Sequence, residues 1–220
     1  MLVAISLRQE KNKHGNHVDV LESAYTSFFN KLEVTLIPIP NDTENVKNFL
    51  ESLPIEGIII AGGNDIDPTS FGGEMQEGLS LAPIRDLVEK ELLQFAIKKK
   101  LPVLGICRGM QFINTFFGGK VIDLRKDHTH QPGKSHPIAI TAKQDLFGNH
   151  SSVNSFHNWG ITQTELAEPL EVFAKHEEII EGIYHPTLPI IGVQWHPERD
   201  SQNEELNKKI IELFKGTHKI

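Results

Sequence analysis

Two runs in this chain, Gly57-Ile58-Ile59-Ile60-Ala61 and Val103-Leu104-Gly105-Ile106, are apolar at every position. A strand with no polar alternate has no face to leave in water, so it must be covered on both sides, as in a parallel sheet held between helices. The neighbouring sequence supplies the covers. Val3 to Leu7 reads as a strand, and Leu21, Ala24, Tyr25, Phe28, Phe29 and Leu32 follow at the three-and-four spacing of an amphipathic helix. Val34 to Ile39 is the next strand, and Thr43 to Leu53 the next helix, with Asn41, Asp42 or Thr43 as its cap. A third helix carries Ile84, Leu87, Val88, Leu92, Phe95 and Ala96 on one face, ends before Pro102, and returns the chain to the second apolar run. This alternation predicts an α/β fold with a doubly wound, mostly parallel sheet, whose ligands bind beyond the carboxyl ends of the strands.

Past a helix through Met110, Ile113 and Phe117 the pattern shortens. Val121-Ile122, Ile138 to Ile140, Val153-Asn154, Leu170 to Ala174 and Ile179 to Tyr184 read as small antiparallel additions that wall one side of the site. Ile190 to Val193 is another buried strand, and a last helix with Leu206, Ile210, Ile211, Leu213 and Phe214 packs back on the sheet. No internal repeat or linker breaks the chain, and 220 residues with 39% apolar content suit a single domain over 1–220. Met1 to Arg8 is apolar for too few residues to be a secretory leader, and no run approaches a membrane span, so a cytoplasmic protein without membrane contact is expected. One cysteine cannot form an internal disulfide, which fits a reducing compartment. A formal charge of −7, with Lys98-Lys99-Lys100 as the only basic run, argues against a nucleic-acid footprint.

The lone cysteine sits in Gly105-Ile106-Cys107-Arg108-Gly109, where a strand turns sharply into a helix. Small residues on both sides let such a turn present the sulfur above the sheet edge, and the following helix N-terminus favours a negative sulfur. A thiol at its reference pKa of about 8.5 is only a few per cent ionised at neutral pH, so catalysis by Cys107 needs a base. His196, in Gln194-Trp195-His196-Pro197-Glu198 after a buried strand, supplies one, and Glu198, two residues on along an extended segment, orients the imidazole. The three read as a Cys-His-Glu triad. Acyl transfer also needs donors to a developing oxyanion, each worth roughly 3 to 4 kcal/mol. The N–H of Arg108 is one; Gly63 is the expected second, with Gly62 beside it, because a loop without side chains lets backbone approach a ligand. Asn64, Asp65 and Asp67 continue that loop and either bind substrate or make turn hydrogen bonds.

The Gly62-Gly63 loop, Gly105-Ile106-Cys107-Arg108-Gly109-Met110-Gln111, Val153-Asn154-Ser155-Phe156-His157 and Gln194 to Glu198 together resemble class I glutamine amidotransferase domains. More narrowly, they resemble the γ-glutamyl-γ-aminobutyrate hydrolase branch, also described as peptidase C26, over nearly the whole chain. The resemblance implies a flavodoxin-like sheet, attack by Cys107 on a γ-glutamyl amide, a γ-glutamyl thioester, and release of glutamate by water without a cofactor. It also implies that Gln111 contacts the glutamyl head group and that Asn154, Ser155, His157 and their neighbours to Gly160 line its pocket. Arg85-Asp86 with Glu89 resembles a further recurrent feature of the branch: either Arg85 pairs with a substrate carboxylate, or Asp86 and Glu89 favour a helix N-terminus. One departure stands out. Where the branch commonly has Gln, this chain has Trp159, read either as a stacking surface for an aromatic or nucleotide-like leaving group or as core packing.

Eleven histidines raise the question of a metal, but Asp127, His128, His130 and His136 match no standard spacing, so no metal site is expected. Asp123 to His136 reads as a surface loop, and His150, His176 and His185 as structural residues without companions. Three functions fit the chain: a stand-alone γ-glutamyl hydrolase, a glutaminase subunit feeding ammonia to a synthase partner, and a binding module on the same fold. The intact triad disfavours the last, and Arg85-Asp86 with the Asn154 to His157 segment favours hydrolysis of a small γ-glutamyl substrate without a synthase, alone or as a homo-oligomer. A γ-glutamyl amide carried on a nucleotide is an alternative substrate.

Overall fold

The computed structural model describes residues 1–125, 133–199 and 203–216. Its first half follows the alternation: β1 (Leu2–Ser6), a hairpin of β2 (Arg8–Lys11) and β3 (His17–Val20), α1 (Ser23–Lys31), β4 (Thr35–Ile39), α2 (Val46–Ser52), β5 (Gly57–Ile60) and α3 (Pro83–Lys99). β6 (Val103–Ile106) then turns into α4 (Arg108–Phe116). The second half holds β7 (Ile122–Asp123), β8 (Lys134–Ile140), the single turn α5 (Gln144–Phe147), β9 (His150–Ser155), β10 (Trp159–Gly160) and β11 (Glu171–His176). β12 (Ile179–Tyr184), β13 (Ile190–Val193) and α6 (Glu204–Phe214) complete it.

Among the described residues, nine strands form one sheet in the order β4-β1-β5-β6-β13-β12-β11-β8-β9. The five from β4 to β13 are parallel, and from β13 onward every neighbour is antiparallel. Consecutive residues of β5 show why its sequence has no polar position. Ile59 joins a core with Phe29, Trp195 and Phe214 on one face, while Ile58 and Ile60 join Leu92 and Ile113 on the other. All three isoleucines are fully buried.

Three expectations change. The β2–β3 hairpin is polar and unannounced by periodicity. α2 begins at Val46 rather than Thr43, because Asp42 accepts the N–H groups of Glu44 and Asn45 and shapes residues 43–45 into a lead-in turn. α3 turns Arg85, Val88, Glu89, Leu92, Leu93 and Ala96 inward, leaving Ile84 and Leu87 43% and 55% exposed. The first inward turn of α3 is thus charged, not apolar, for a reason found at the site. No helix of the described residues is long and apolar enough to cross a membrane.

Candidate functional site

Three neighbouring parallel strands, β5, β6 and β13, end at Gly62-Gly63, Cys107 and Gln194 to Glu198 respectively. Residues remote in sequence therefore meet at one edge. Cys107 is the N-cap of α4, at φ 53° and ψ −109°. That is a left-handed backbone for a residue with a Cβ, a strain of order 1–3 kcal/mol that the surroundings must hold. They do so on both sides: its N–H donates to the Val193 carbonyl at 2.7 Å, and a Cβ on Gly109 would stand 1.9 Å from the Ile60 carbonyl oxygen. Only glycine lets α4 start that close to β5.

His196 is buried, and its Nδ1 donates to Glu198 Oε1 at 2.5 Å. Glu198 reaches the ring across a turn closed by the Arg199 N–H on the His196 carbonyl at 3.3 Å, not along an extended segment. Burial acts to lower the imidazole pKa, but the charges of Cys107 and Glu198 and hydrogen bonds to both push it up to about 10. Asn154 of β9 fixes the same residue through its main chain: it accepts the His196 N–H and donates to the His196 carbonyl, each at 2.9 Å. The Asn154 side chain is thereby spent on positioning His196 instead of lining a substrate pocket.

Against both His196 and Cys107 sits Gly62, whose N–H donates to the Tyr25 hydroxyl at 3.0 Å. Gly62 is therefore not a free donor, whereas Gly63, at φ 122°, lines the cleft beside Cys107. A Cβ on Gly63 would lie 2.7 Å from the Arg8 side chain and 2.9 Å from that of Arg85.

Arg85 corrects another expectation. It is fully buried, with hydrogen bonds to the Ala61 carbonyl (2.6 Å), the Gly62 carbonyl (3.0 Å), Asn64 Oδ1 (3.2 Å) and Glu89 (2.7 Å). With these four partners it braces the Gly-Gly loop, and its hydrogen bonds run to protein groups. Glu89 also receives Arg108, whose second terminal nitrogen donates to Asp86. One buried carboxylate thus joins the loop after β5 to the residue that follows Cys107. Burial would raise the Glu89 carboxyl, but the two guanidinium groups hold it below its ordinary value; Asp86, where burial prevails over Arg108, is pushed up to about 6.

Trp159 is core. It is 6% exposed, and its Nε1 donates to Asp65 Oδ1 at 2.9 Å. Asp65 also accepts the Ser80 N–H, Asn64 bonds both main-chain groups of Gln9, and Asp67 caps a short 3-10 turn, so these loop residues make turn and cross-loop hydrogen bonds. Gln111 donates to the Trp159 carbonyl (2.9 Å) and to Gln194 Oε1 (3.1 Å), while Gln194 Nε2 lies 3.6 Å from the sulfur. Ser155 is fully buried, and His157, also buried, directs Nε2 toward Glu181 Oε1 at 3.6 Å. Neither faces the cleft as expected. His176 is not companionless: its ring lies 4.2 Å from that of His136. Asp127, His128 and His130 lie outside the described residues, and His136 is a buried residue of β8, not part of a surface loop.

The cleft over the sulfur has a volume of about 310 Å³ and is lined by Arg8, Glu10, Gly63, Asn64, Asp65, Ser80, Cys107, Phe156, His196 and Arg199. A larger cavity of about 640 Å³, against Met1, Pro102 and Pro189, opens at the amino ends of the strands, across the sheet from the thiol. Phe156 is the aromatic side chain at the mouth: 37% exposed, edge-on to His196 at 5.9 Å, with the Arg199 guanidinium 4.7 Å from its centroid. The sequence marks Phe156 only as one of the Asn154 to Gly160 pocket segment and assigns no role to Arg199, Tyr25 or Gln194. Gln194 opens the segment that carries His196 and Glu198, while Tyr25 belongs to the apolar spacing of α1.

A family model described as Peptidase C26 matches residues 2–198. YvdE of Lactococcus lactis subsp. lactis, named for its likeness to glutamine amidotransferases, is 32% identical over 214 residues, 90% of this chain and 89% of its own. The gamma-glutamyl-CDP-amidate hydrolase of Campylobacter jejuni subsp. jejuni is 31% identical over 192 residues, 85% of either chain. The CTPS glutaminase domain of Trypanosoma brucei, solved with bound acivicin, has a TM-score of 0.66 at 13% identity, covering 100% of this chain and 95% of that one; the likeness is one of fold.

Proposed function

The chain belongs to the peptidase C26 family, and on that premise we propose that it hydrolyses the γ-glutamyl amide bond of a small metabolite to release L-glutamate. Cys107 attacks the side-chain carbonyl carbon, and the N–H groups of Gly63 and Arg108 receive the oxyanion. Protonated His196 gives its proton to the departing amine as the C–N bond breaks, leaving a γ-glutamyl thioester. The neutral imidazole then takes a proton from the attacking water, and the sulfur leaves as glutamate forms. Glu198 supports the imidazolium in both halves.

The observation that carries the reading is the meeting of Cys107, His196 and Glu198 at the ends of adjacent parallel strands, with the imidazole pKa pushed up to about 10 by its two partners. The test is release of glutamate from a panel of γ-glutamyl amides by the protein alone. Cys107→Ser should abolish turnover and leave the thermal midpoint within about 2 °C of the parent; activity near wild type in that variant would end the assignment. A rate on free glutamine matching that on every other amide, rising only with an added synthase, would favour the glutaminase-subunit reading instead.

For the leaving group, Phe156 with the Arg199 guanidinium over it offers a flat face beside a cation, and Arg8, which shares the Glu22 carboxylate with Arg199, lies on the same rim. Such a mouth suits a planar or anionic amine, and a γ-glutamyl amide carried on a nucleotide, as in the name of the Campylobacter relative, is the second reading.

A further inference from the structure

His136 on β8, His157 just after β9 and Glu181 on β12 come from three separate parts of the antiparallel wall, and their donor atoms lie within 4.8 Å of one another. All three are buried: Glu181 completely, the histidines to 6% and 3% exposure. The imidazole orientations are set from behind. His157 Nδ1 lies 2.9 Å from the Trp159 carbonyl and His136 Nδ1 3.3 Å from the Pro137 carbonyl. A ring nitrogen facing a carbonyl must carry its hydrogen there, so a neutral ring then directs the lone pair of Nε2 the other way. For both rings that way is Glu181 Oε1, at 3.7 Å from His136 and 3.6 Å from His157.

Those separations are longer than a hydrogen bond but close to the distance between two ligands of a tetrahedral ion, about 3.3 Å for bonds of about 2.0 Å. Two neutral imidazoles with Nδ1 on main-chain carbonyls, and one carboxylate, form a donor set suited to a borderline dication such as zinc. The geometry points to a three-ligand site for a transition-metal dication formed by His136, His157 and Glu181. Its place makes it structural: it ties the outer strands β8 and β9 to β12, whose Glu181 carbonyl accepts the N–H of Gln194, the residue that contacts the sulfur.

A buried site loads during folding, so the test refolds the chain around the metal. Cys107→Ser protein, which removes the sulfur ligand at the triad, is unfolded, refolded with zinc or cobalt(II), desalted, and assayed for metal by mass spectrometry. One retained ion per chain, a raised thermal midpoint, and cobalt absorption bands of a low-coordinate nitrogen-oxygen site are expected. His136→Gln and Glu181→Gln in the same background should lose that retention. No retained metal, or retention unchanged in both variants, overturns the site. Should the variants not fold, X-ray absorption of the zinc-loaded Cys107→Ser chain decides: two imidazoles with oxygen support the site, and a shell with a single imidazole or none refutes it.

Discussion

Glu89→Gln removes one negative charge from a place where water cannot replace it. Glu89 and Arg85 are fully buried and Arg108 nearly so, and the carboxylate accepts from both guanidinium groups. An amide of the same shape keeps one acceptor oxygen but turns its NH2 toward the other arginine, leaving two buried cations against Asp86 alone. Breaking a buried pair by removing one partner costs about 3–5 kcal/mol, a large share of the roughly 5–15 kcal/mol that holds a typical domain. For a chain of this length each kcal/mol moves the midpoint by about 2–4 °C, so a fall of roughly 6–20 °C is expected by circular dichroism. Turnover should suffer separately. Arg85 holds the carbonyls of Ala61 and Gly62, and Arg108 follows Cys107, so slackening Glu89 loosens both proposed oxyanion donors. Displacement of a catalytic group by about 1 Å costs on the order of 10²-fold, so kcat for glutamate release should drop by about that factor with KM nearly unchanged. Glu89→Asp, which keeps the charge on a shorter arm, should fall between. A Glu89→Gln protein with wild-type midpoint and wild-type kcat would refute the idea that this network holds the site together.

Relief of backbone strain gives a second outcome: Cys107→Gly should be inactive yet more stable by about 1 kcal/mol, since glycine adopts φ 53° without penalty, and a lower midpoint would contradict the strain. The raised pKa of His196 has a defined sign. With a folded value of about 10 against the ordinary 6.5, its charged form contributes stability that is whole below about pH 6.5 and is lost as pH rises toward 10. A His196→Gln protein should show a flatter fall of midpoint across that window, and identical pH profiles would reject the assignment. Arg199→Gln should raise KM for γ-glutamyl amides with anionic leaving groups more than KM for glutamine, with any loss of kcat from its contact with Glu198 shared by both; equal changes of KM would detach Arg199 from leaving-group binding.

The parallel half of the fold was legible because its signals are local. Runs such as Gly57–Ile60 and Val103–Ile106 exclude water from both faces by composition, and the elbow around Cys107 is marked by the small residues that let strand and helix meet. That Glu198 would meet His196 was legible because the two stand two residues apart after a buried strand, although a turn and not an extended segment brings them together. The polar hairpin β2–β3 was not, since no apolar alternation betrays it.

What only tertiary structure decided is which neighbour each polar side chain spends itself on. Arg85, Asn154, Gln111 and His157 all carry groups suited to a substrate, and their residue types could not tell a ligand from a main-chain carbonyl. Hydrogen bonding inside a protein is set by what lies within about 3 Å, and that follows from strand order. By placing β5, β6 and β13 side by side and folding β8, β9 and β12 against them, the sheet turned those side chains inward as braces and left Phe156 and Arg199 at the mouth. A single chain position cannot encode that choice, because most of these partners arrive from 20 or more residues away, Trp159 on His157 and Glu89 on Arg85 excepted.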